Sequence, residues 1–388
     1  MLNRPHKAEA RPAAPSRPSK ARTARTPGRT WFSAALARER RSGSEAPKER
    51  EQRLDGAARP VREPSRERRE QAAPSAPSFM LEGADGVSVC VSAWPLERPR
   101  AVVQISHGMG ENGGRYAGLA AALNAAGYAV YAGDHRGHGR TVGDTPAGPL
   151  RQGYAGPDAL NGMCRDLLKV TAEIRRRHPG APVVLLGHSM GSFLARKLMA
   201  DRPAEYAGFM LTGSGGERAE LPLKLGAALA AAEARLLSPA FSSPALNALV
   251  FGPFGRGFKP RRTRFDWLSR DEDAVDEFAR LYGRTLFSCG FYRDFFQLLL
   301  ELQQPGLARR LDRSKPVLLC CGEFDPVGGA SGLDHLRSVY EQAGLEDLEC
   351  RLYPEARHEL VFETNRDEVI ADWIVWLDGH FPSAGRQK

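Results

Sequence analysis

The chain has 388 residues and a formal charge of +9, but 19 Lys and Arg against 9 Asp and Glu lie in residues 1–78, so the remainder is close to neutral. A basic nucleic-acid-binding core is thereby disfavoured, because such charge clusters on the domain itself. No run approaches the roughly 20 apolar residues of a membrane span, and the six scattered cysteines form no CxxC pair or metal-ligand spacing.

Residues 1–76 are rich in Arg, Pro, Ala and Ser and too poor in apolar residues to build a core, which predicts a disordered basic tail. Its readings are a solvated extension, a transit-peptide pattern over the first 30 residues, where only Glu9 is acidic, or an arm for a membrane surface, nucleic acid or a partner. No apolar stretch follows its first basic residues, so a secretory leader is not expected and the expected location is cytoplasmic, with peripheral membrane contact left open.

A folded domain is expected over 77–388. Phe79–Leu81 and Val87–Ala93 read as a strand pair around a glycine-containing turn. Ala101–Ser106 is a buried strand leading into His107-Gly108-Met109-Gly110-Glu111, and Arg115–Ala126 is a helix stopped by Gly127. Tyr128–Ala132 is a strand before the polar loop Asp134-His135-Arg136-Gly137-His138-Gly139-Arg140. An amphipathic helix follows over Leu160–Arg177, then a strand over Val183–Gly187, a Gly-x-Ser-x-Gly turn at Gly187–Gly191, and a strand over Gly208–Thr212. Strands alternating with helices predict an α/β fold with a mostly parallel sheet covered on both faces.

The alternation then stops. From about 215 to 305 the pattern is helical, over Leu221–Leu237, Ala274–Tyr282 and Tyr292–Leu302, with Ser269…Glu272 as a capping box. This aromatic-rich insertion reads as a lid over the carboxyl edge of the sheet, where open α/β sheets bind ligands. Strands resume at Pro316–Cys321 and Leu348–Tyr353, with helices at Leu333–Gln342 and Arg366–Gly379. Cys320 and Cys321 fall inside a strand and are read as core residues.

The serine turn lifts Ser189 out of the sheet at the start of a helix. A hydroxyl becomes a nucleophile only beside a base held in the right tautomer. His358 and Asp325 each follow a strand and come in the order Ser…Asp…His, so Ser189 is the candidate nucleophile, His358 the base and Asp325 its orienting acid. Glu323, Asp312 and Asp334 are rivals for the acid, and of these only Glu323 lies as close to the strand end. Oxyanion donors are expected from the backbone N–H groups of Met190 and Met109. His107 is read as a brace for its loop. Glu111 with Arg115, and Asp134 with Arg136, are candidate pairs fixing their loops to the insertion. His135 and His138 lack a third ligand, so no metal is expected, and no cofactor.

The body resembles the α/β-hydrolase family of monoacylglycerol lipases and bacterial lysophospholipases, the serine-aminopeptidase-like branch. The resemblance rests on His107-Gly108-Met109-Gly110-Glu111 with Gly114-Arg115-Tyr116, on Asp134…His138-Gly139, on Gly187-His188-Ser189-Met190-Gly191, on Asp325-Pro326-Val327, and on Tyr353-Pro354-Glu355-Ala356-Arg357-His358-Glu359. Ser192 stands where a third glycine is common. The resemblance implies hydrolysis of an ester through an acyl-enzyme, with a small lipid ester as partner and no nucleic acid; the oligomeric state stays open. Thioesterase action, or proline-type aminopeptidase action with Asp271, Glu272, Asp273, Asp276 and Glu277 meeting an amine, are the alternatives within enzymes. A binding module without turnover is the alternative outside them.

Overall fold

A computed structural model describes residues 77–382. The tail expected over 1–76 lies outside the described residues.

Eight strands form one sheet: β1 (Ser78–Glu82), β2 (Ser88–Trp94), β3 (Val102–Ser106), β4 (Ala129–Gly133), β5 (Val183–His188), β6 (Gly208–Thr212), β7 (Val317–Gly322) and β8 (Leu348–Tyr353). Their spatial order is β1-β2-β4-β3-β5-β6-β7-β8. β1 and β2 pair antiparallel with each other, as do β2 and β4, and every later pairing is parallel. The central strands are apolar at successive positions because both faces are covered. Val184, Leu186, Leu318 and Cys320 join one core, and Val183, Leu185, Leu319 and Cys321 the other. Helices α1 (Ala117–Ala125) and α10 (Arg366–His380) supply Leu123, Trp373 and Trp376 to the first. Helices α2 (Ala159–Arg177), α3 (Met190–Asp201) and α9 (Gly329–Ala343) supply Met163, Leu194 and Tyr340 to the second.

Between β6 and β7 lie α4 (Glu220–Leu236), α5 (Pro244–Phe251), α6 (Glu272–Leu281), α7 (Cys289–Glu301) and the short α8 (Pro305–Ala308). Helices α5 and α8 were not expected. Each opens on a proline at its first turn, where the missing N–H costs nothing. The cap of α6 is Asp271, whose carboxylate accepts the N–H groups of Asp273 and Ala274. The expected box began two residues earlier, but the Ser269 hydroxyl is spent on the Phe362 carbonyl and accepts the Asp271 N–H. The expected helix over Arg115–Ala126 is also shorter, because Gly113–Tyr116 turns as a 3-10 segment before α1.

Candidate active site

The carboxyl edge of the sheet collects the loops after β3, β4, β5, β7 and β8. Ser189 follows β5 and caps α3 with φ 52° and ψ −121°, a conformation a residue with a side chain rarely adopts and one that stores strain. The turn needs its small neighbours: a Cβ at Gly191 would lie 1.9 Å from the Ser106 carbonyl oxygen. Met190 is the first residue of α3, so its N–H has no intrahelical acceptor and lies beside the serine. The β3 loop sits against the same point, since a Cβ at Gly108 would lie 3.2 Å from the Ser189 Cβ. Met109 is the next residue along that loop.

His358 and Asp325 are brought together. The His358 Nδ1 lies 2.9 Å from Asp325 Oδ1, both side chains being essentially buried. The same Asp325 oxygen accepts the Val327 N–H at 2.8 Å, which fixes the carboxylate from its own loop. Burial opposes a charge on His358, but the Asp325 carboxylate outweighs it and the pKa is raised above its ordinary 6.5. Burial likewise favours a neutral Asp325, and the imidazole reverses this, so its pKa is lowered. Gly213, at φ 60°, makes room for the ring: a Cβ there would lie 2.8 Å from His358 Cε1. The His188 ring, next to Ser189, is 4.9 Å from the His358 ring. The rivals for the acid are engaged elsewhere. Glu323 accepts the Glu355 N–H, Asp312 accepts from Ser314, and Asp334 pairs with Arg337.

The loop after β3 is tied down by a buried ionic set. Glu111 accepts the Gly108 N–H at 2.6 Å and the Tyr116 hydroxyl at 2.9 Å, and receives Arg115 at 3.0 Å. Burial opposes the Glu111 charge, but Arg115 and neighbouring imidazoles hold its pKa at about 2. Arg115 also grips Glu359 in two-pronged fashion, at 2.5 and 2.7 Å. The expected tie to the insertion is therefore mainly a tie to the histidine loop. Phe278 of α6 adds a ring 5.1 Å from the guanidinium.

Asp134 and Arg136 do not pair with each other. Asp134 accepts the backbone N–H groups of Gly113 and Arg140, bracing two loops. Arg136 turns to Asp166 and Asp85. His107 acts as the expected brace: its Nε2 accepts the His135 N–H at 2.9 Å, which leaves the Nδ1 proton for the Gly108 carbonyl at 2.8 Å. His135 and His138 are buried, and burial lowers the pKa of both. Among the described residues no cluster of three or more His, Cys, Asp or Glu is placed to hold a metal ion.

Two contacts had no signal in the sequence. The Trp267 ring packs 5.0 Å from His358, and its carbonyl accepts the His358 N–H at 3.4 Å. A cleft of about 410 Å³ opens beside the β3 loop, lined by Gly110, Glu111, Asn112, Asp134, Arg140 and Tyr282 among others.

Residues 97–365 match the family described as serine aminopeptidase, S33. The chain belongs to that family. Among curated relatives of this S33 hydrolase is the monoacylglycerol lipase of Mycolicibacterium smegmatis, 29% identical over 311 residues that span 77% of this chain and 95% of the relative. The monoglyceride lipase of Homo sapiens is 28% identical over 313 residues, 79% of this chain and 91% of that protein. Among solved structures, a thermostable carboxyl esterase from Bacillus coagulans superposes with a TM-score of 0.70 at 25% identity, covering 79% of this chain and 98% of the esterase.

Proposed function

We propose that this carboxylic ester hydrolase cleaves single-chain lipid esters, monoacylglycerols or lysophospholipids, through Ser189, His358 and Asp325. The observation that carries the reading is the buried 2.9 Å contact of His358 Nδ1 with Asp325, with the His358 ring 4.9 Å from that of His188, the residue before the strained Ser189. Asp325 accepts the Nδ1 proton, so Nε2 is the basic nitrogen. Ser189 Oγ gives its proton to that nitrogen as it attacks the ester carbonyl. The oxyanion is met by the N–H groups of Met190 and Met109. The tetrahedral intermediate collapses, the leaving alkoxide takes the proton from His358, and the acyl group stays on Ser189. Water, deprotonated by the same imidazole, then releases the fatty acid.

The relatives' own activities support the lipid class. So does the insertion, whose α4 presents Leu221, Leu225, Leu229 and Leu236 to solvent at 45–80% exposure, a surface suited to lipid aggregates. An aminopeptidase would need acids free to meet an amine, yet Asp271 caps α6 and pairs with Arg366, while Glu272 and Asp276 pair with Arg262. Turnover of monoacylglycerols, lysophospholipids, acyl-CoA and aminoacyl amides by the full chain tests the reading. The monoacyl lipids should lead by at least about tenfold in kcat/KM, and a lead for the amides or thioesters would replace it.

A further inference from the structure

Behind the Asp325 loop two arginines meet without a carboxylate partner. Arg196, on α3, is 6% exposed; it donates to the Gly215 carbonyl at 3.0 Å, and its Nε is buried with no partner. Its other neighbour is the neutral Tyr340 hydroxyl. Arg218, partly buried, donates to the Val327 carbonyl at 2.9 Å. Both guanidinium groups abut Gly215, where a Cβ would lie 2.9 Å from Arg218 Nη2 and 3.0 Å from the Val327 oxygen.

A third source of positive potential points to the same place. Helix α9, fifteen residues long, starts at Gly329, and its cap Gly328 packs on Ser214, a Cβ there lying 2.3 Å from the Ser214 carbonyl oxygen. The Ser214 hydroxyl is itself buried and without a partner. Nearby acids are committed. Asp201 pairs with Lys197 and Arg310, Glu301 with Lys197, and Glu217 with His335. Among the described residues Asp325 is the carboxylate whose charge reaches Arg218, and it makes no ion pair with either arginine, its partner being His358. Arg196 is thus one buried guanidinium charge with no carboxylate paired to it among the described residues, and buried charge is strongly disfavoured without a counter-ion.

We propose that a monovalent inorganic anion binds between Arg196 and Arg218, against Ser214, as a built-in counter-ion behind the Asp325 loop. The charge count selects a monovalent ion, and the donors (two guanidinium groups and one hydroxyl) suit a halide. The ion touches Arg196, Arg218 and Ser214 rather than Ser189 or His358, so it takes no part in bond making and steadies the junction of β6, α3 and α9.

Bromide is the probe. Crystals of the full chain grown in acetate and soaked in sodium bromide should show an anomalous peak in contact with both guanidinium groups. In solution, bromide should raise the melting temperature over gluconate at equal ionic strength, as a ligand of the native state must. In Arg218→Gln the bromide dependence should weaken at least tenfold, and in Ser214→Ala by a smaller factor. A map without the peak overturns the proposal, as does an Arg218→Gln protein that keeps the full bromide response. Should Arg218→Gln not fold, the wild-type map and Ser214→Ala decide. None of these readouts depends on which ester is cleaved.

Discussion

The loops on the carboxyl edge and the helical insertion are built on opposite plans. On the edge, polar groups are buried and multiply held: Glu111 has three partners, Arg115 joins two carboxylates, and Asp325 is fixed by both His358 and its own loop. The insertion holds itself together by aromatic packing, Phe291 with Phe295 and Phe254 with Trp267, while α4 leaves a row of leucines in water. A preorganised edge is what transition-state stabilisation requires, because donors and charges must not reorganise during the reaction. A surface of exposed leucines binds without demanding one geometry. Chemistry and choice of substrate are thus expected to be separable by mutation.

The largest effect should come from the edge. Ser189→Ala is expected to lower kcat by about 10⁶-fold, the scale for loss of a serine nucleophile, and to abolish labelling by a fluorophosphonate probe. Labelling that persists would place the nucleophile elsewhere. Thermal melting should show no loss of stability, since the strained turn gains nothing from the hydroxyl's chemistry.

Asp325→Asn should cost about 10⁴-fold in kcat, as expected when the imidazole loses the partner that selects its tautomer. Glu323→Gln should stay within about twofold, a margin set by its role on the Glu355 N–H outside the buried pair. The pH profile adds a sign. Burial lowers the pKa of His358 and Asp325 raises it, with a net rise above 6.5. The base works when neutral, so the acid limb of kcat/KM should fall at a pH above 6.5 in the wild type. In Asp325→Asn the largest raising cause is lost, burial is opposed only by the smaller pull of Glu359 and Glu111, and the limb should move to lower pH. A limb that stays put would detach His358 from the limb.

Arg115→Met tests how far the edge is a single unit. It leaves the carboxylates of Glu111 and Glu359, 2% and 3% exposed, facing each other's loops without their common cation. Breaking a buried pair in this way costs about 3–5 kcal/mol, readable by urea denaturation. A loss below about 1 kcal/mol would show that water replaces the arginine and that the two loops are independent.

The two plans also explain what was legible in the sequence. On the edge, each strand run is apolar because of its own position, and Gly191, Ser189 and Gly213 answer to local backbone geometry. The choice of Asp325 over Glu323 had no local rule behind it, since residues two apart share a face of a continued strand and both lie beyond the end of β7. Partners across the chain were not legible. Arg115 meets Glu359, 244 residues away, and Arg136 meets Asp166, 30 residues away, because proximity in space chose them. The insertion hid more, since α5 and α8 are short and the real cap of α6 depends on where Ser269 finds an acceptor across the chain. Trp267 against His358 had no motif at all.

The smallest effect should come from α4, and it sharpens the comparison most. Leu225 and Leu229 are 61% and 45% exposed, four residues apart on one face, and neither belongs to the two cores of the described residues. Leu225→Ser with Leu229→Ser should therefore leave kcat/KM on a short, soluble ester unchanged within about twofold, the range of surface substitutions. Each leucine moved from water into lipid gains up to about 1.5–3 kcal/mol, and partial insertion gains less. Co-sedimentation with phosphatidylcholine vesicles and turnover of emulsified monoacylglycerol should accordingly fall by roughly tenfold in the double variant. Equal losses on the soluble and the emulsified ester would mean that α4 shapes the pocket itself, and the separation of chemistry from substrate choice would fail at this helix.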